Sequence, residues 1–443
     1  MPGQMFGQGT IFAPATAPGR AGVAVIRISG PQCPSVLRAL MGADTLPSPR
    51  HATFAPLFDP NSGEELDRGL VLWFPGPNSF TGEDVAELHC HGGGAVTGAL
   101  LAVLGGFDGC RLAEPGEFTR RAFQNGKMDL TQAEGLADLI AAETEAQRRQ
   151  AQRQMAGELG QLYEGWRADL ISALAYLEAD IDFPDEDLPH GMTEKQRPVL
   201  RRLSGEVTAH LDDDHRGERL RDGCHMVILG APNVGKSSLL NALARRDAVI
   251  VSPQAGTTRD VVEVSLNLGG YPVVLADTAG LRDSDDAIEA EGVRRARAHG
   301  DQADLKIVLY DCTVSAEPDA ATRALADGGI LVASKLDLAA VPPRQGLGIS
   351  TKTGQGLELL LTRLTEEAAQ RMSSGGPPGL TRARHRQSLS ECRDALIRAL
   401  EQGEGEFMAE DVRLAARHLG RITGRVDVDD ILDVVFGDFC IGK

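Results

Sequence analysis

The sequence lacks the features that mark a membrane or secreted protein. No segment approaches the roughly 18 consecutive apolar residues that a membrane-spanning helix needs. The N-terminal segment has no charged stretch followed by an apolar core, so we expect no secretory signal. The 7 cysteines are odd in number and widely scattered, a pattern typical of reduced thiols rather than of a disulfide framework. We therefore expect a cytoplasmic protein that contacts no membrane.

The sequence also has fewer basic than acidic residues. The chain has 45 Lys and Arg against 63 Asp and Glu, a formal net charge of −18. Such a surface repels nucleic acid on average, so RNA binding would need a local basic patch or a partner. The best local candidates are Arg382, Arg384, His385, Arg386, Arg393 and Arg398. The simpler interpretation of these residues is a solvated helix face.

Three sequence textures follow one another along the chain. Up to about residue 125, Gly and Pro separate short apolar runs such as Gly22–Ile28 and Leu70–Phe74, which predict strands in an α+β domain. From about 126, apolar residues recur at steps of three and four, which predicts a long amphipathic helix with Trp166 facing the core. From about 223, strands alternate with helices and predict a mostly parallel sheet. Helical texture returns after the breaker segment 373–379.

These textures predict a multidomain α/β fold. We expect an N-terminal α+β domain, an all-helical central domain, and an inserted P-loop domain of Ras-like type. The predicted boundaries are 1–125 for the N-terminal domain, 126–222 and 377–443 for the two parts of the helical domain, and 223–376 for the insert. Such an insertion is tolerated when the ends of the insert lie close together.

A phosphate-binding sequence opens the inserted domain. Residues 230–237 read Gly-Ala-Pro-Asn-Val-Gly-Lys-Ser between a predicted strand and a predicted helix. In this pattern backbone N–H groups wrap the phosphates, Lys236 reaches the outer phosphates, and the Ser237 hydroxyl binds Mg²⁺. The N-terminus of the following helix adds a partial positive charge. A structural glycine turn is the alternative interpretation.

The later motifs occur in the order of a GTPase. The run Asp277-Thr278-Ala279-Gly280 ends a strand, where the carboxylate holds Mg²⁺ through water and the glycine senses the γ-phosphate. A threonine of the segment 257–260 can close over Mg²⁺ and that phosphate as a switch. Asp337 can accept from guanine N1–H and the exocyclic amine, at about 1.5–3 kcal/mol per bond. Ser350 would support the base.

Two positions depart from the usual GTPase pattern. Ser334 stands where GTPases normally carry Asn, and the shorter side chain loses one donor. We expect guanine selectivity to survive through Asp337, while nucleotide affinity falls and nanomolar GDP binding is absent. Leu281 stands where signalling GTPases place a water-orienting glutamine. Another group must therefore orient the water and supply positive charge, and the sequence identifies no arginine finger.

Longer segments go beyond the generic GTPase pattern. They are GAPNVGKSSLLNAL, SPQAGTTRD, DTAGLRDS and the terminal FCIGK, with ATAPGRAGVAVIRISG, PNSFTGEDVAELHCHGG and PGEFTRRAFQNGKMDLTQAEGLADLI nearer the N-terminus. Together they resemble the tRNA modification GTPase MnmE (TrmE) family over nearly the whole chain. The resemblance implies a K⁺-activated GTPase and homodimer. With the FAD-binding partner MnmG (GidA), in a heterotetramer or larger assembly, it would act on tRNA. The product would be an aminomethyl or carboxymethylaminomethyl group at C5 of the wobble uridine, built from a tetrahydrofolate one-carbon unit.

The resemblance also assigns the metal and nucleotide sites. In the family, two G domains meet and a potassium ion enters each site, where it can replace an arginine finger. The positions that match the potassium ligands are Asn233, Ser252, Gln254 and Thr257, and Mg²⁺ would be held by Ser237 and Thr258. The implied GTP-binding residues are Asn233, Val234, Gly235, Lys236, Ser237, Ser238, Ser252, Gln254, Thr257, Thr258, Asp277, Thr278, Ala279, Gly280, Ser334, Lys335, Asp337 and Ser350.

The acid that orients the attacking water falls on Glu289 by its spacing from the DTAG motif. Glu291 is close enough to compete for this assignment. A solvated carboxylate at a helix start is the alternative interpretation of Glu289.

The N-terminal domain of the family resembles folate-dependent enzymes, and the resemblance implies a formyl- or methylene-tetrahydrofolate there. Arg27, Glu87 and Lys127 match its folate-contacting positions, and we assign Lys443 to the same ligand. A carboxylate suits the amide-like edge of the folate ring, and Lys or Arg suits its glutamate tail. Without the resemblance, Arg27 would be interpreted as a surface residue at a strand end. For the segment 89–91, His-Cys-His, we favour a loop near the folate pocket over a metal site.

The terminal segment places Cys440 in what we expect to be a short, unattached tail. The last four residues superficially match a lipidation box, but the final lysine and the lack of a basic segment upstream disfavour it. The functional interpretation places the thiol near the folate, where it acts as nucleophile or base. The family's tail points toward that pocket, which can be that of a dimer partner.

A function from another class stays open. A GTP-regulated ribosome or RNA assembly factor without chemistry of its own would carry the same P-loop domain. The terminal cysteine and the N-terminal segments favour the modifying enzyme.

Overall fold

A computed structural model describes residues 9–182, 192–246, 262–277, 303–373, 378–401, 405–426, 429–437 and 439–442. The chain divides into two compact units, residues 1–137 with 423–443, and residues 138–422. The four predicted domain segments are a finer division and stay a prediction. No helix in the described ranges is long and apolar enough to cross a membrane.

The first unit is built on a six-stranded sheet in the order β3-β4-β5-β2-β1-β6. Its neighbouring strands pair antiparallel, except that β1 and β6 are parallel. The strands are β1 (Thr10–Pro14), β2 (Ala21–Ser29), β3 (Thr53–Phe58), β4 (Glu65–Phe74), β5 (Val85–Gly92) and β6 (Cys110–Leu112). Two of the predicted strands, in β2 and β4, are confirmed.

The two faces of this sheet differ because successive strand residues point to opposite sides. Helices α1 (Cys33–Met41) and α2 (Gly94–Gly105) share a buried apolar cluster with the alternate residues of β2, such as Ile26 and Ile28. The intervening position, Arg27, therefore lies on the other face. Phe54 and Leu70, which are direct cross-strand partners, are both exposed.

The C-terminal segment belongs to this first unit. The first unit also contains α3 (Glu117–Gln124) and the start of α4 (Leu130–Ala141), and the C-terminal segment contributes α14 (Asp429–Gly437). A second apolar cluster joins Leu130 with Leu432, Phe436 and Phe439. The C-terminal segment thus shares one apolar core with α3 and α4.

The second unit contains a helical part. Its helices are α5 (Glu145–Met155), α6 (Glu158–Asp182), α7 (Met192–Leu211), α8 (Arg216–Asp222), α12 (Ala383–Glu401) and α13 (Gly405–Thr423). The predicted long amphipathic helix is confirmed as α6, whose stripe includes Leu170 and Leu177 at the centre of the core. Trp166 is buried there as predicted, and its indole N–H donates to Glu206 at 2.8 Å.

The remainder of the second unit is the predicted βα-alternating domain. Its sheet has the order β12-β11-β10-β7-β9-β8, and all neighbouring pairs are parallel except β8 with β9. The elements are β7 (Cys224–Gly230), α9 (Lys236–Arg246), β8 (Val262–Leu268), β9 (Tyr271–Asp277), β10 (Leu305–Asp311), α10 (Ala320–Leu325), β11 (Ile330–Ser334), β12 (Leu347–Gly348) and α11 (Leu357–Met372). Because ligands bind at the carboxyl ends of parallel strands, the ends of β7, β9, β10 and β11 mark the candidate site. The predicted multidomain α/β fold is confirmed.

Candidate functional site

The P-loop connects β7 to α9. Val234 is buried in the apolar core and fixes the middle of the loop, while Asn233 is exposed with a left-handed backbone, φ 59°. The Lys236 ammonium group donates to the carbonyl oxygens of Gly230 at 2.9 Å and Ala231 at 3.0 Å. Burial lowers the pKa of Lys236, although the nearby Asp277 carboxylate opposes that shift. An anionic phosphate would compete with these neutral carbonyl oxygens for the Lys236 ammonium group.

Two predicted magnesium-site residues meet at the end of β9. The Ser237 hydroxyl, in the first turn of α9, donates to Asp277 Oδ2 at 2.6 Å. Asp277 is the last residue of β9 and is buried. Mg²⁺ prefers oxygen ligands and usually keeps several waters, so a hydroxyl beside a carboxylate fits it.

The predicted guanine-binding residues are also brought together. The Ser350 hydroxyl donates to Asp337 Oδ1 at 2.6 Å, which fixes one carboxylate oxygen of Asp337. The Lys335 ammonium group lies 2.6 Å from Asp311 Oδ2 at the end of β10. Burial alone would raise the pKa of Asp311, but bonds from Lys335 and Thr313 outweigh it and lower the pKa. Sequence reasoning missed Asp311, which ends β10 but belongs to no motif that we considered.

Ser334 reaches the P-loop across the sheet. Its hydroxyl is buried and donates toward the carbonyl oxygens of Val234 at 2.7 Å and Tyr310 at 3.0 Å. The serine therefore keeps a hydrogen bond between the end of β11 and the phosphate loop. This bond was not predicted, because the sequence alone indicated only a lost donor.

Several predicted site residues lie outside the described part of the chain. They are Ser252, Gln254, Thr257, Thr258, Thr278, Ala279, Gly280, Glu289 and Lys443, with Leu281 and Glu291. Gly235 and Ser238 are described, and they lie at the start of α9 beside Lys236 and Ser237.

Arg27 and Glu87 form an ion pair on the face of the first sheet opposite α1 and α2. They are direct cross-strand partners on β2 and β5, and Arg27 Nε and Nη2 donate to Glu87 Oε1 at 3.1 and 2.9 Å. The guanidinium lies 5.2 Å from the ring centre of Phe80 and 5.8 Å from that of Phe118, within cation–π range. Arg27 lies inside its strand with its side chain 15% exposed, so the alternative of a strand-end surface residue is wrong.

Lys127 lies between α3 and α4 and contacts the β4–β5 loop, which carries Phe80. Its ammonium group donates to the Pro77 carbonyl at 2.9 Å, and Asn125 holds the same loop through the Thr81 carbonyl at 2.7 Å. The structure thus connects Lys127 to the aromatic wall of the Arg27 site through this loop.

The His-Cys-His segment is a strand and not the predicted loop. Cys90 points into the sheet core, while His89 and His91 point to the opposite face, as strand alternation requires. His89 Nε2 lies 3.5 Å from Glu87 Oε2, and His91 Nδ1 lies 2.7 Å from Asp67 Oδ1. No three His, Cys, Asp or Glu side chains within the described ranges form a group that could hold a metal ion.

The tail is attached to the first unit, which corrects the expectation of an unattached tail. Phe439 is buried in the cluster with Phe436, and Gly442 is buried against the end of β1. Cys440 between them is exposed.

Most residues of the candidate basic patch make internal contacts, while Arg398 is exposed, so a fully solvated face is corrected and tRNA binding there stays a prediction. His385 is fully buried. The arginine contacts are Arg382 to Asp138 at 2.7 Å, Arg384 to the Ile422 carbonyl at 3.2 Å, Arg386 to Asp213 at 2.6 Å, Arg393 to Asp394 at 2.8 Å, and Arg398 to Asp411 at 2.9 Å. Four of these five arginines have an acidic partner within the protein.

Comparison with known proteins matches nearly the whole chain. Residues 10–127 match the family model "GTP-binding protein TrmE N-terminus", and residues 130–440 match "MnmE helical domain". The chain is 56% identical to the tRNA modification GTPase MnmE of Parvibaculum lavamentivorans, over 98% of this chain and 100% of that protein. It is 49% identical to the human mitochondrial 5-taurinomethyluridine-tRNA synthase subunit GTPB3, over 98% of this chain and 93% of that protein. Among solved structures, Aquifex aeolicus Era bound to GDP and aluminium fluoride is 21% identical, with a TM-score of 0.26, over 41% of this chain and 68% of that chain.

Proposed function

The chain belongs to the MnmE (TrmE) family of tRNA modification GTPases, and from this membership we propose a K⁺-activated, folate-dependent modification of the tRNA wobble uridine. The GTPase would act with the FAD-dependent partner MnmG (GidA) to install an aminomethyl or carboxymethylaminomethyl group at C5. One observation carries the proposal. The same chain holds a prearranged nucleotide site and, in a different unit, an aromatic-lined Arg27–Glu87 pair suited to a folate ring.

At the nucleotide site, each described residue has a distinct task. Asp337, oriented by Ser350, accepts from the guanine N1–H and amine and rejects adenine, which presents no matching donors. Lys236 moves from the loop carbonyls to the outer phosphates. Ser237 and Asp277 would hold Mg²⁺, and Thr258 would add its oxygen.

The potassium site would include Asn233. Its carboxamide oxygen is a neutral ligand of the kind that replaces water around K⁺, and the residue is exposed beside the phosphate loop. Ser252, Gln254 and Thr257 would complete the shell. When bound, K⁺ supplies the positive charge that an arginine finger supplies elsewhere. Glu289 would orient the attacking water in place of the glutamine that Leu281 replaces.

The folate would be held on the Arg27 face of the first sheet. Glu87 suits the amide-like edge of the ring, the partly exposed Phe80 offers a flat apolar surface, and Lys127 with Lys443 suits the glutamate tail. A formyl- or methylene-tetrahydrofolate supplies the one-carbon unit when bound. Cys440 would act on the transfer as nucleophile or base, and its exposed position supports this role.

The proposed assembly is a cytoplasmic homodimer that binds MnmG and tRNA. The exposed cross-strand pair Phe54 and Leu70 supports a dimer contact through the N-terminal domain, since two neighbouring apolar side chains exposed to water favour a partner. The net charge of −18 and the internal pairing of the candidate arginines support a partner that carries much of the tRNA contact.

Mass analysis of wobble uridines in a deletion strain tests this function. The wild-type chain should restore the modified uridine, and Cys440→Ser should fail to restore it while the purified variant still hydrolyses GTP. An assembly factor would leave the uridines unchanged in the deletion strain. Normal modification in the Cys440→Ser strain would remove the cysteine from the proposed chemistry.

A further inference from the structure

The terminal segment 439–442 is fixed at two points, and the second is a glycine. We propose that Gly442 is a positioning residue that fastens the tail to the β1–β2 turn of its own chain and so holds Cys440 beside the Arg27 strand. The fastening stands on geometry alone. Its consequence for catalysis rests on the function proposed above for Cys440.

Gly442 fits its place for two independent reasons. Its backbone has φ +99°, a conformation that residues with a side chain rarely adopt. A Cβ at this position would overlap the Pro14 carbonyl oxygen and come within 3.2 Å of Ala15 Cα. The obstructing atoms are backbone atoms at the end of β1, so they cannot move aside as a flexible side chain would.

The other fixed point is Phe439. Its ring centre lies 5.8 Å from that of Phe436, which in turn lies 6.2 Å from that of Phe123. The Phe439 N–H donates to the Phe436 carbonyl at 3.2 Å. Phe436 itself sits against Gly116, where a Cβ would come within 3.0 Å of the Phe436 Cβ. This anchor therefore joins the tail to α3 and α4 through close packing.

Cys440 lies between the two anchors and is exposed, as is Ile441. Three Cα–Cα steps separate Phe439 from Gly442, so a fully extended segment spans only about 10–11 Å. A thiol in a segment this short, fixed at both ends, cannot sample the volume that an unattached tail would sample. The attachment thus restricts the motion of the tail and fixes the position of the thiol. Holding a reacting group in one orientation accelerates its reaction.

The strand register places this attachment next to the proposed folate site. Pro14 pairs with Ile26, the next pair along β1 is Ala13 with Arg27, and Arg27 pairs onward with Glu87. Gly442 therefore contacts the sheet one register step from the Arg27–Glu87 pair of the same chain. We therefore expect the tail to serve the folate site of its own chain rather than that of a dimer partner.

Amide hydrogen exchange of the full-length protein tests the fastening directly. Gly442→Ala should raise the exchange rate of the tail peptide by at least about tenfold, because the added Cβ excludes the bound conformation. Gly437→Ala is the matched control, since a Cβ there would meet no described atom within 4 Å. Unchanged exchange in Gly442→Ala would overturn the fastening.

Wobble-uridine analysis of the same variants tests the consequence. Gly442→Ala should lower modification while GTP hydrolysis and the melting temperature stay at the wild-type level, and Gly437→Ala should change none of these. Faster tail exchange with wild-type modification would overturn the positioning role while the fastening stands. Normal modification by Cys440→Ser would instead overturn the proposed chemistry of the thiol, so the two failures are distinguishable.

Mixed dimers distinguish a tail that acts on its own chain from one that acts on a partner. One subunit carries Cys440→Ser and the other carries Arg27→Ala, and only the mixed species is purified by two different tags. A tail that serves its own chain leaves both sites defective, so we expect no modification above the two parental variants. Recovery of about half of the wild-type activity would overturn the same-chain geometry.

Discussion

The Ser334 hydroxyl lies 2.7 Å from the Val234 carbonyl oxygen and connects the end of β11 to the phosphate loop. We predict that Ser334→Ala weakens GDP binding about fivefold, since a lost buried hydrogen bond costs about 1 kcal/mol. Displacement of a fluorescent GDP analogue measures this. Ser334→Thr keeps the hydroxyl and should bind within twofold of the wild type. Equal affinity of the alanine variant would show that the bond does not support the loop.

A second prediction concerns the Arg27 site. Arg27→Lys keeps the charge but loses the planar group that both bonds Glu87 and stacks on Phe80. We expect the affinity for 5-formyltetrahydrofolate, measured by calorimetry, to fall at least about tenfold, with GTP hydrolysis unchanged. Arg38→Lys, on the exposed surface of α1, should bind the folate normally. Wild-type folate affinity in Arg27→Lys would contradict the proposed site.

Stability should depend on pH through a buried histidine. His210 contacts the Tyr163 hydroxyl at 3.2 Å, and burial lowers its pKa to about 4, with Asp213 opposing the shift and Arg386 and His385 reinforcing it. Because the unfolded chain binds the proton near pH 6.5 and the folded chain does not, stability is complete above that pH and falls as pH drops toward 4. Between pH 7.5 and 5.5 this group should remove roughly 1 kcal/mol from the free energy of unfolding.

Urea denaturation at the two pH values measures this effect. His210→Gln should reduce the pH-dependent loss by about that amount, whatever its effect on stability at pH 7.5. The same substitution at the exposed His51 should leave the pH dependence as in the wild type. An undiminished loss in His210→Gln would assign the acid sensitivity to other groups.

The parts of the fold that the sequence predicted depend on local patterns. The stripe of α6 and the strand–loop–helix around Lys236 are written within a few turns of chain, so periodicity and glycine spacing were sufficient. The alternation of β5 was equally local, and the loop predicted for residues 89–91 is wrong because they continue this strand.

The remaining features depend on contacts between distant segments. The bond from Ser334 to Val234 joins residues 100 positions apart, and no local pattern specifies it. The arginines of α12 looked available for RNA because their partners, such as Asp138 for Arg382 and Asp213 for Arg386, lie far away in sequence. The attachment of Gly442 to Pro14 joins the two ends of the chain and follows only from the assembled core.

The central proposal is that a monovalent cation beside Asn233 supplies the charge for GTP hydrolysis. The direct test is the hydrolysis rate of the purified protein in equal concentrations of potassium and sodium chloride. We predict that sodium lowers the rate on the order of a hundredfold, the usual effect of removing one stabilising charge or donor from a transition state. Asn233→Ala should lose this potassium preference. Equal rates of the wild-type protein in the two salts would contradict the proposal.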